Sequence, residues 1–379
     1  MIVNFSDNQL HLPLAPLTLT RPVAELRFGI LTFRETWEIL LKPKSYGYIT
    51  EKYLSEKYPA IHTKNTITVS GNIKGDSELV RWIKLLKENE SLIVNEMLVA
   101  QKGSGKKLIR KSKKDLLLVQ HGWDLFQKNG EAIKSDFALL TRGKKSQTLN
   151  KTNKVIGKNK LFIERGAKIN CAIFNTEDGP VYIAKDAEVM EGSVIRGPFA
   201  LCDHSTVKMS AKIYGPTTIG PHCKVGGEIS NVIFQAYSNK GHDGFIGNSV
   251  IGEWCNFGAD TNSSNLMNTY GKLKIYSYQT NKMVQTNVTF CGLLMGDHSK
   301  TGINTMLNTG TVVGVSANIF GAGFPAKYIP SFTWGGAEKS EPFKLDKAFE
   351  VASNMMERRN CSLSAADKKI LTHLHKLAH

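Results

Sequence analysis

Every sixth residue from Ile183 is aliphatic: Ile183, Val189, Ile195, Leu201, Val207, Ile213, Ile219 and Val225. With roughly one residue in four being Ile, Leu or Val, such a run of eight arises by chance about once in 65,000 trials. Ile163 and Ile169 extend the register backwards across an interruption at 173–182. It returns at Phe245, Ile251 and Phe257, and again at Met295, Thr301, Leu307, Val313 and Ile319, with Thr301 the polar member. Four residues after many of these positions the side chain is small: Ala187, Ser193, Ser205, Ala211 and Thr217, then Ser299, Thr305, Thr311, Ala317 and Gly323. A period of six fits neither a 3.6-residue helix nor simple alternation. It fits a parallel β-helix of hexapeptide repeats. Each hexad makes one flat face, three faces close a triangular coil, and the small residue sits at the tight corner. Stacked coils bury an aliphatic column that no single coil could bury.

Two segments break the register, 231–244 and 263–294, and breaks in a solenoid are expected to form loops, often on the binding face. The first contains YSNKGHDGFIG (237–247); the second follows the coil VIGEWCNFGADTNSSN (250–265). Before residue 150 the pattern changes. Short apolar runs (ITVSGNI at 67–73, SLIVNEMLVA at 91–100) mix with helical stretches (26–41 and 77–90), which predicts an α/β domain. GWDLFQKNGEAIKSDF (122–137) reads as a helix returning toward the solenoid, with Trp123 and Phe126 as packing anchors. After 341 the chain reads as two helices, the second opened by a Ser-x-x-Asp cap at 364–367. The predicted organisation is therefore an α/β domain over 1–150, a β-helix over 151–335 and C-terminal helices over 336–379.

Composition narrows the function classes. No stretch of the 379 residues approaches the ~20 apolar residues of a membrane span. The start, MIVNFSDNQLHLPL, lacks the cationic and small-residue pattern of a signal peptide. Six scattered cysteines form no C-x-x-C pair, which suits free thiols in a reducing, cytoplasmic setting. The net charge is +16. Half of it lies in 101–150, where 12 Lys/Arg face 4 Asp/Glu. Lys102, Lys106, Lys107, Arg110, Lys111, Lys113 and Lys114 read either as an anion patch or as a solvated segment. No aromatic interleaving or nucleic-acid motif accompanies them, so no nucleic-acid partner is expected.

The hexad array, Lys240-Gly241-His242 and the later GADT–SSN stretch resemble the acetyltransferase domain of GlmU-type bifunctional enzymes. Runs such as PLTLTRPVAELRFGILT, EVMEGSVIRGPFALC and MGDHSKTGINTMLNTGTVVGVSANIFG are similar to GlmU-like sugar nucleotidyltransferases of the Bacteroidetes type. The resemblance implies a left-handed β-helix behind a shortened, Rossmann-like nucleotidyltransferase domain. It also implies a homotrimer, and the making of UDP-N-acetylglucosamine. Acetyl would pass from acetyl-CoA to glucosamine-1-phosphate, and the product would then be coupled to UTP with Mg²⁺.

The resemblance also implies roles. His242 falls where the family has a general base. Asn256 falls on a sugar-binding position, Ala259 where a backbone N–H faces the thioester oxygen, and Asn265 on an acetyl-CoA contact. Phe245 stands where other members carry a substrate-binding Tyr. The family's sugar-phosphate lysine falls on Ser230, which leaves Lys240 as the candidate for that charge. GAGFPAKYIP (321–330) resembles the coil ending near the coenzyme A site, with Gly321 and Lys327 as candidates. In the N-terminal domain the Gly-rich phosphate loop is missing. PLTLTRPV makes Arg21 the triphosphate candidate, and Glu96 replaces the metal-binding Asp. Two other readings stay open: a sugar-1-phosphate nucleotidyltransferase whose β-helix only oligomerises, and a non-catalytic regulatory scaffold.

Overall fold

The protein is described by a computed structural model covering residues 1–63, 66–111, 114–158 and 161–379. Its N-terminal domain is a six-stranded sheet. The strands are β1 (Ile2–Ser6), β2 (Ser45–Ile49), β3 (Thr66–Ser70), β4 (Glu90–Val94), β5 (Met97–Lys102) and β6 (Lys107–Lys111), in the order β2-β1-β3-β5-β4-β6. β1 runs parallel to β2 and β3, β4 parallel to β6, and β5 antiparallel to both its neighbours.

Three local expectations change here. SLIVNEMLVA is a hairpin rather than one strand, because Asn95 and Glu96 both take left-handed φ (45° and 61°) as a two-residue hairpin turn requires. The helix expected from residue 26 starts only at α1 (Phe33–Leu41), behind a Thr32–Glu35 capping box. Ahead of it, the N–H groups of Gly29, Ile30 and Leu31 donate to Asn129 and Asp136, which pulls this stretch out of helical geometry. The helix expected over 77–90 is α2 (Ser77–Lys84), which ends well before β4 opens at Glu90. The basic run contains edge strand β6, whose cations are partly paired: Lys107 with Glu90, Arg110 with Glu96, and Lys114 with Asp76. Lysines along an edge discourage pairing with other chains. Lys113 lies outside the described residues.

The rest of the chain is the expected parallel β-helix. Its three faces each stack an inward column in register. One runs Ile183–Leu201–Ile219–Phe234–Ile251–Met295–Val313–Ile329. A second runs Phe174–Ile195–Ile213–Ile229–Ile246–Ser263–Leu307. The third runs Ile169–Val189–Val207–Val225 and then meets Lys240. The aliphatic members are buried in one continuous core.

Corner geometry explains the small residues. The residue before most of them takes left-handed φ: Asp186, Gly192, His204, Ser210, His298, Asn304, Gly310 and Ser316, whereas Thr217 follows the cis-proline Pro216. The small side chain then turns inward, and its hydroxyl caps a turn carbonyl, as Thr217 does for Tyr214 (2.7 Å) and Thr305 for Gly302 (2.9 Å). Gly323 is the exception and is exposed. The break at 231–244 is no loop. Val232–Phe234 and Asn239–Lys240 are regular rungs of a shortened coil, so the register shifts without leaving the solenoid. The break at 263–294 does leave it, as an antiparallel hairpin of Lys274–Ser277 with Lys282–Gln285.

The domains share one interface. Ile233, Val250, Leu294 and Val312, on the outer side of one face, pack with Leu14, Leu17, Phe28, Phe33 and Phe126. Helices α3 (Gly122–Gln127) and α4 (Asn129–Thr141) carry the chain across, as expected for this segment. Phe126 is buried, whereas Trp123 is only partly so. The tail forms α5 (Leu345–Glu357) and α6 (Ala365–Ala378), the latter opened by the expected Ser364–Asp367 capping box. Lys57 pairs with Asp367 at 2.6 Å and Tyr53 stacks on His373, which ties α6 to the N-terminal domain. Among the described residues no helix is long and apolar enough to cross a membrane, and the six cysteines are unpaired.

Candidate functional site

His242 sits at a solenoid corner, directly after the rung Asn239–Lys240. The next coil stacks its own corner on it, with the Asp260 N–H donating to the Asp243 carbonyl at 3.1 Å. The coil beyond stacks in turn, Asn304 N–H to Ala259 carbonyl at 2.8 Å, and Gly302 then packs against Phe320, which precedes Gly321. His242, Ala259, Ile303 and Gly321 thus follow one column of corners. Beside it opens a cavity of about 720 Å³ lined by His242, Asn256 and Ala259, among others. His242 is exposed. The Ala259 N–H has no acceptor among the described residues. The cavity is therefore lined by an imidazole, an amide side chain and a residue whose backbone N–H is unpaired among the described residues.

Lys240 does not face this cavity. It takes the inward position above Val225, where the other columns hold aliphatics, and is 1% exposed. Its ammonium turns back to donate to the carbonyls of Asp243 (2.6 Å) and His242. Burial pushes its pKa down to about 8, against the pull of Asp243 and Asp260. The expected charge for substrate phosphate is instead a pin for the His242 corner, because the shortened coil moves this lysine into the core register.

The other candidates are dispersed. Phe245 and Asn265 meet over Gly247, on a different face. Asn265 donates to Asn248 at 2.7 Å. Lys327 precedes the rung Tyr328–Ile329, where its carbonyl accepts from Val312. Arg21 is 5% exposed and bonds to Asp297 and Glu253 of the β-helix, with Thr20 also donating to Asp297 at 2.6 Å. Burial opposes its charge, yet the two carboxylates hold the guanidinium well above its ordinary range. Glu96 is at the exposed hairpin turn and receives two bonds from Arg110, at 2.9 and 2.6 Å. A carboxylate already bound by a guanidinium is a poor seat for Mg²⁺, which favours several free oxygen ligands. Among the described residues no group of three His, Cys, Asp or Glu converges. A second cavity, about 560 Å³, lies between Leu12–Ala15, the stacked rings of His121 and Trp123, and the inserted hairpin. None of its lining residues is charged apart from His121 when protonated, so it offers a triphosphate no Lys or Arg.

Four residues at the His242 cavity escaped the sequence reading: Lys208, Lys224, Arg358 and Arg359. Lys208 follows and Lys224 precedes the paired inward residues Val207 and Val225 on neighbouring coils, so no hexad spacing links them. The two arginines follow α5 and reach the cavity only through the packing of the tail.

Residues 2–145 match a family model described as sugar nucleotidyl transferase. The chain is 28% identical over 153 residues to a bifunctional sugar-1-phosphate nucleotidylyltransferase/acetyltransferase of Sulfurisphaera tokodaii, covering 38% of each. It is 31% identical over 118 residues to the bifunctional protein GlmU of Methanocaldococcus jannaschii, covering 31% of this chain and 26% of that one. The matches span well under half the length of these relatives. Among solved structures, the polySia specific acetyltransferase NeuO aligns with 51% of this chain and 82% of its own at 16% identity, with a TM-score of 0.26, too low to argue from. By sequence, residues 2–145 resemble sugar nucleotidyl transferases, and part of the chain is similar to bifunctional nucleotidylyltransferase/acetyltransferase proteins.

Proposed function

We propose that the protein transfers acetyl from acetyl-CoA to the amino group of glucosamine-1-phosphate at the His242 corner. The observation that carries this reading is the meeting of His242, Asn256 and the unpaired Ala259 N–H in one cavity. Only a neutral amine attacks a thioester, and imidazole is the side chain best suited to accept its proton near neutral pH. The amine nitrogen bonds to the thioester carbon while His242 takes the proton. Ala259 N–H donates to the developing oxyanion. The intermediate then collapses, the carbon–sulfur bond breaks, and the departing thiolate of coenzyme A recovers the proton from His242. Asn256 orients the sugar. An extended acyl donor lies along the corner column toward Gly321. The family reading adds a homotrimer working in the cytoplasm, within UDP-N-acetylglucosamine synthesis.

The match over 2–145 favours a second activity, uridylyl transfer from UTP to N-acetylglucosamine-1-phosphate. The geometry lends it less. Arg21 is neutralised by Glu253 and Asp297, and Glu96 is held by Arg110. These side chains therefore do not fit a Mg²⁺ site. Purified protein given acetyl-CoA and glucosamine-1-phosphate should release thiol, and glucosamine without phosphate should be a much poorer acceptor. A parallel channel with UTP, N-acetylglucosamine-1-phosphate and Mg²⁺ reads pyrophosphate. Silence in the thiol channel with pyrophosphate release would replace the first reading by one in which the β-helix only supports a nucleotidyltransferase. Silence in both would favour a scaffold.

A further inference from the structure

We propose that Lys208, Lys224, Arg358 and Arg359 form a phosphate clamp that the C-terminal tail completes. All four line the same cavity as His242, and neither Asp nor Glu lines it. Elsewhere this chain neutralises many of its cations: Arg21, Arg34, Lys74, Lys107, Arg110, Lys114 and Arg196 each have a carboxylate oxygen within 4.0 Å. None of the four clamp residues has one among the described residues.

Their placement is built rather than scattered. Lys208 and Lys224 come from successive coils, joined by the Lys208 N–H to Val225 carbonyl bond at 2.7 Å. Lys224 pairs in register with Asn239, and Asn239 with Asn256. The Arg359 guanidinium donates to the Asn239 side chain at 3.3 Å, which fixes the tail to the rung that leads into His242. The Lys224 pKa is lowered, first by burial and then by the like charges of Arg359, Lys208 and Arg358, which outweigh the opposing pull of Glu188 two coils away. Like charges gathered without a paired carboxylate repel one another, and an anion carrying two negative charges relieves that repulsion. Guanidinium forks suit phosphate oxygens, and lysine adds a point charge.

The shared ligand chemistry is a phosphoryl group. It has two sources under the proposed function, the acceptor sugar phosphate and the phosphates of coenzyme A. The clamp itself does not need the reaction to be tested. Full-length protein is titrated calorimetrically with inorganic phosphate and pyrophosphate at low salt, beside K224Q/R359Q and R358Q/R359Q, with circular dichroism confirming the fold. The clamp predicts measurable wild-type binding and at least about tenfold weaker binding in both variants, because each removes two charge-assisted contacts. Wild-type protein that binds neither anion, or folded variants that bind as well as wild type, overturn it. Steady-state kinetics then separate the sources: a raised KM for glucosamine-1-phosphate alone assigns the clamp to the acceptor, and a raised KM for acetyl-CoA alone assigns it to the donor. Phosphate binding that falls in the variants while wild-type protein releases no thiol upholds the clamp and removes the acetyl-transfer reading.

Discussion

Two cationic regions of this molecule differ in what the fold does with their charge. Arg21 is buried at the domain interface, bonded to Glu253 and Asp297, and its charge is spent inside the protein. Among the described residues the Arg359 guanidinium hydrogen-bonds only a neutral amide, and Arg359 lines the His242 cavity with three other cations and no Asp or Glu. The first arrangement holds two domains together. The second leaves charge for a ligand. What distinguishes a structural cation from a binding one is whether the fold supplies its counterion.

Substitutions can break or sharpen that contrast. Arg21→Met should have the largest effect on stability. It leaves Asp297 buried and uncompensated, and removing one partner of a buried pair costs about 3–5 kcal/mol. Urea denaturation should show that loss. An unchanged midpoint would mean that the arginine is not a structural tie. The companion variant Asp297→Asn should be milder, since it removes the buried negative charge and keeps a hydrogen-bonding amide.

Lys240→Met comes next. It restores an apolar side chain to the column but strands the His242 and Asp243 carbonyls, at about 1–3 kcal/mol for buried polar groups. If the pin positions His242, kcat should fall about ten- to a hundredfold with little change in either KM, because misplacing a reacting group is costly even when binding survives. A KM-only effect would return Lys240 to substrate binding. The pH dependence carries a sign. The folded pKa of about 8 lies below the ordinary 10.5. The unfolded chain therefore binds more protons between those values, and wild-type stability should rise with pH across pH 8–10.5. Lys300, also pushed down to about 8 by burial, contributes in the same direction. Lys240→Met should reduce that slope without abolishing it. The smallest effect belongs to Glu96→Gln. Its partnership with Arg110 is solvent-exposed, so stability should move by less than about 0.5 kcal/mol in thermal melts. Any Mg²⁺ dependence of pyrophosphate release should survive it.

Much of the fold was legible because hexads repeat. Ile183 to Val225 set the inward columns, and the small residues set the corners. The shortened coil was not legible. Lys240 is polar, so its place in an aliphatic register reads as a break until pairing with Val225 is seen. The N-terminal hairpin was hidden because Asn95-Glu96 interrupts an apolar run without a glycine. Within the site, His242, Asn256 and Ala259 came from the resemblance to GlmU-type acetyltransferases, and they do share a cavity. Phe245 and Asn265 follow the same motif but fall on another face, because linear spacing does not say which side of a corner a side chain takes. Arg358 and Arg359 were invisible, since no periodicity in the β-helix announces where a tail helix more than 100 residues later will dock.

The most direct measurement is thiol release from acetyl-CoA by wild-type protein and His242→Ala, with the same amino-sugar phosphate and matched melting temperatures. Because His242 is exposed at a corner, its loss should leave the fold intact. The account predicts that the rate falls by about 10²–10⁴-fold, the span of general-base catalysis. A variant that folds and releases thiol at the wild-type rate would contradict it, and the chemistry would have to be sought away from this corner.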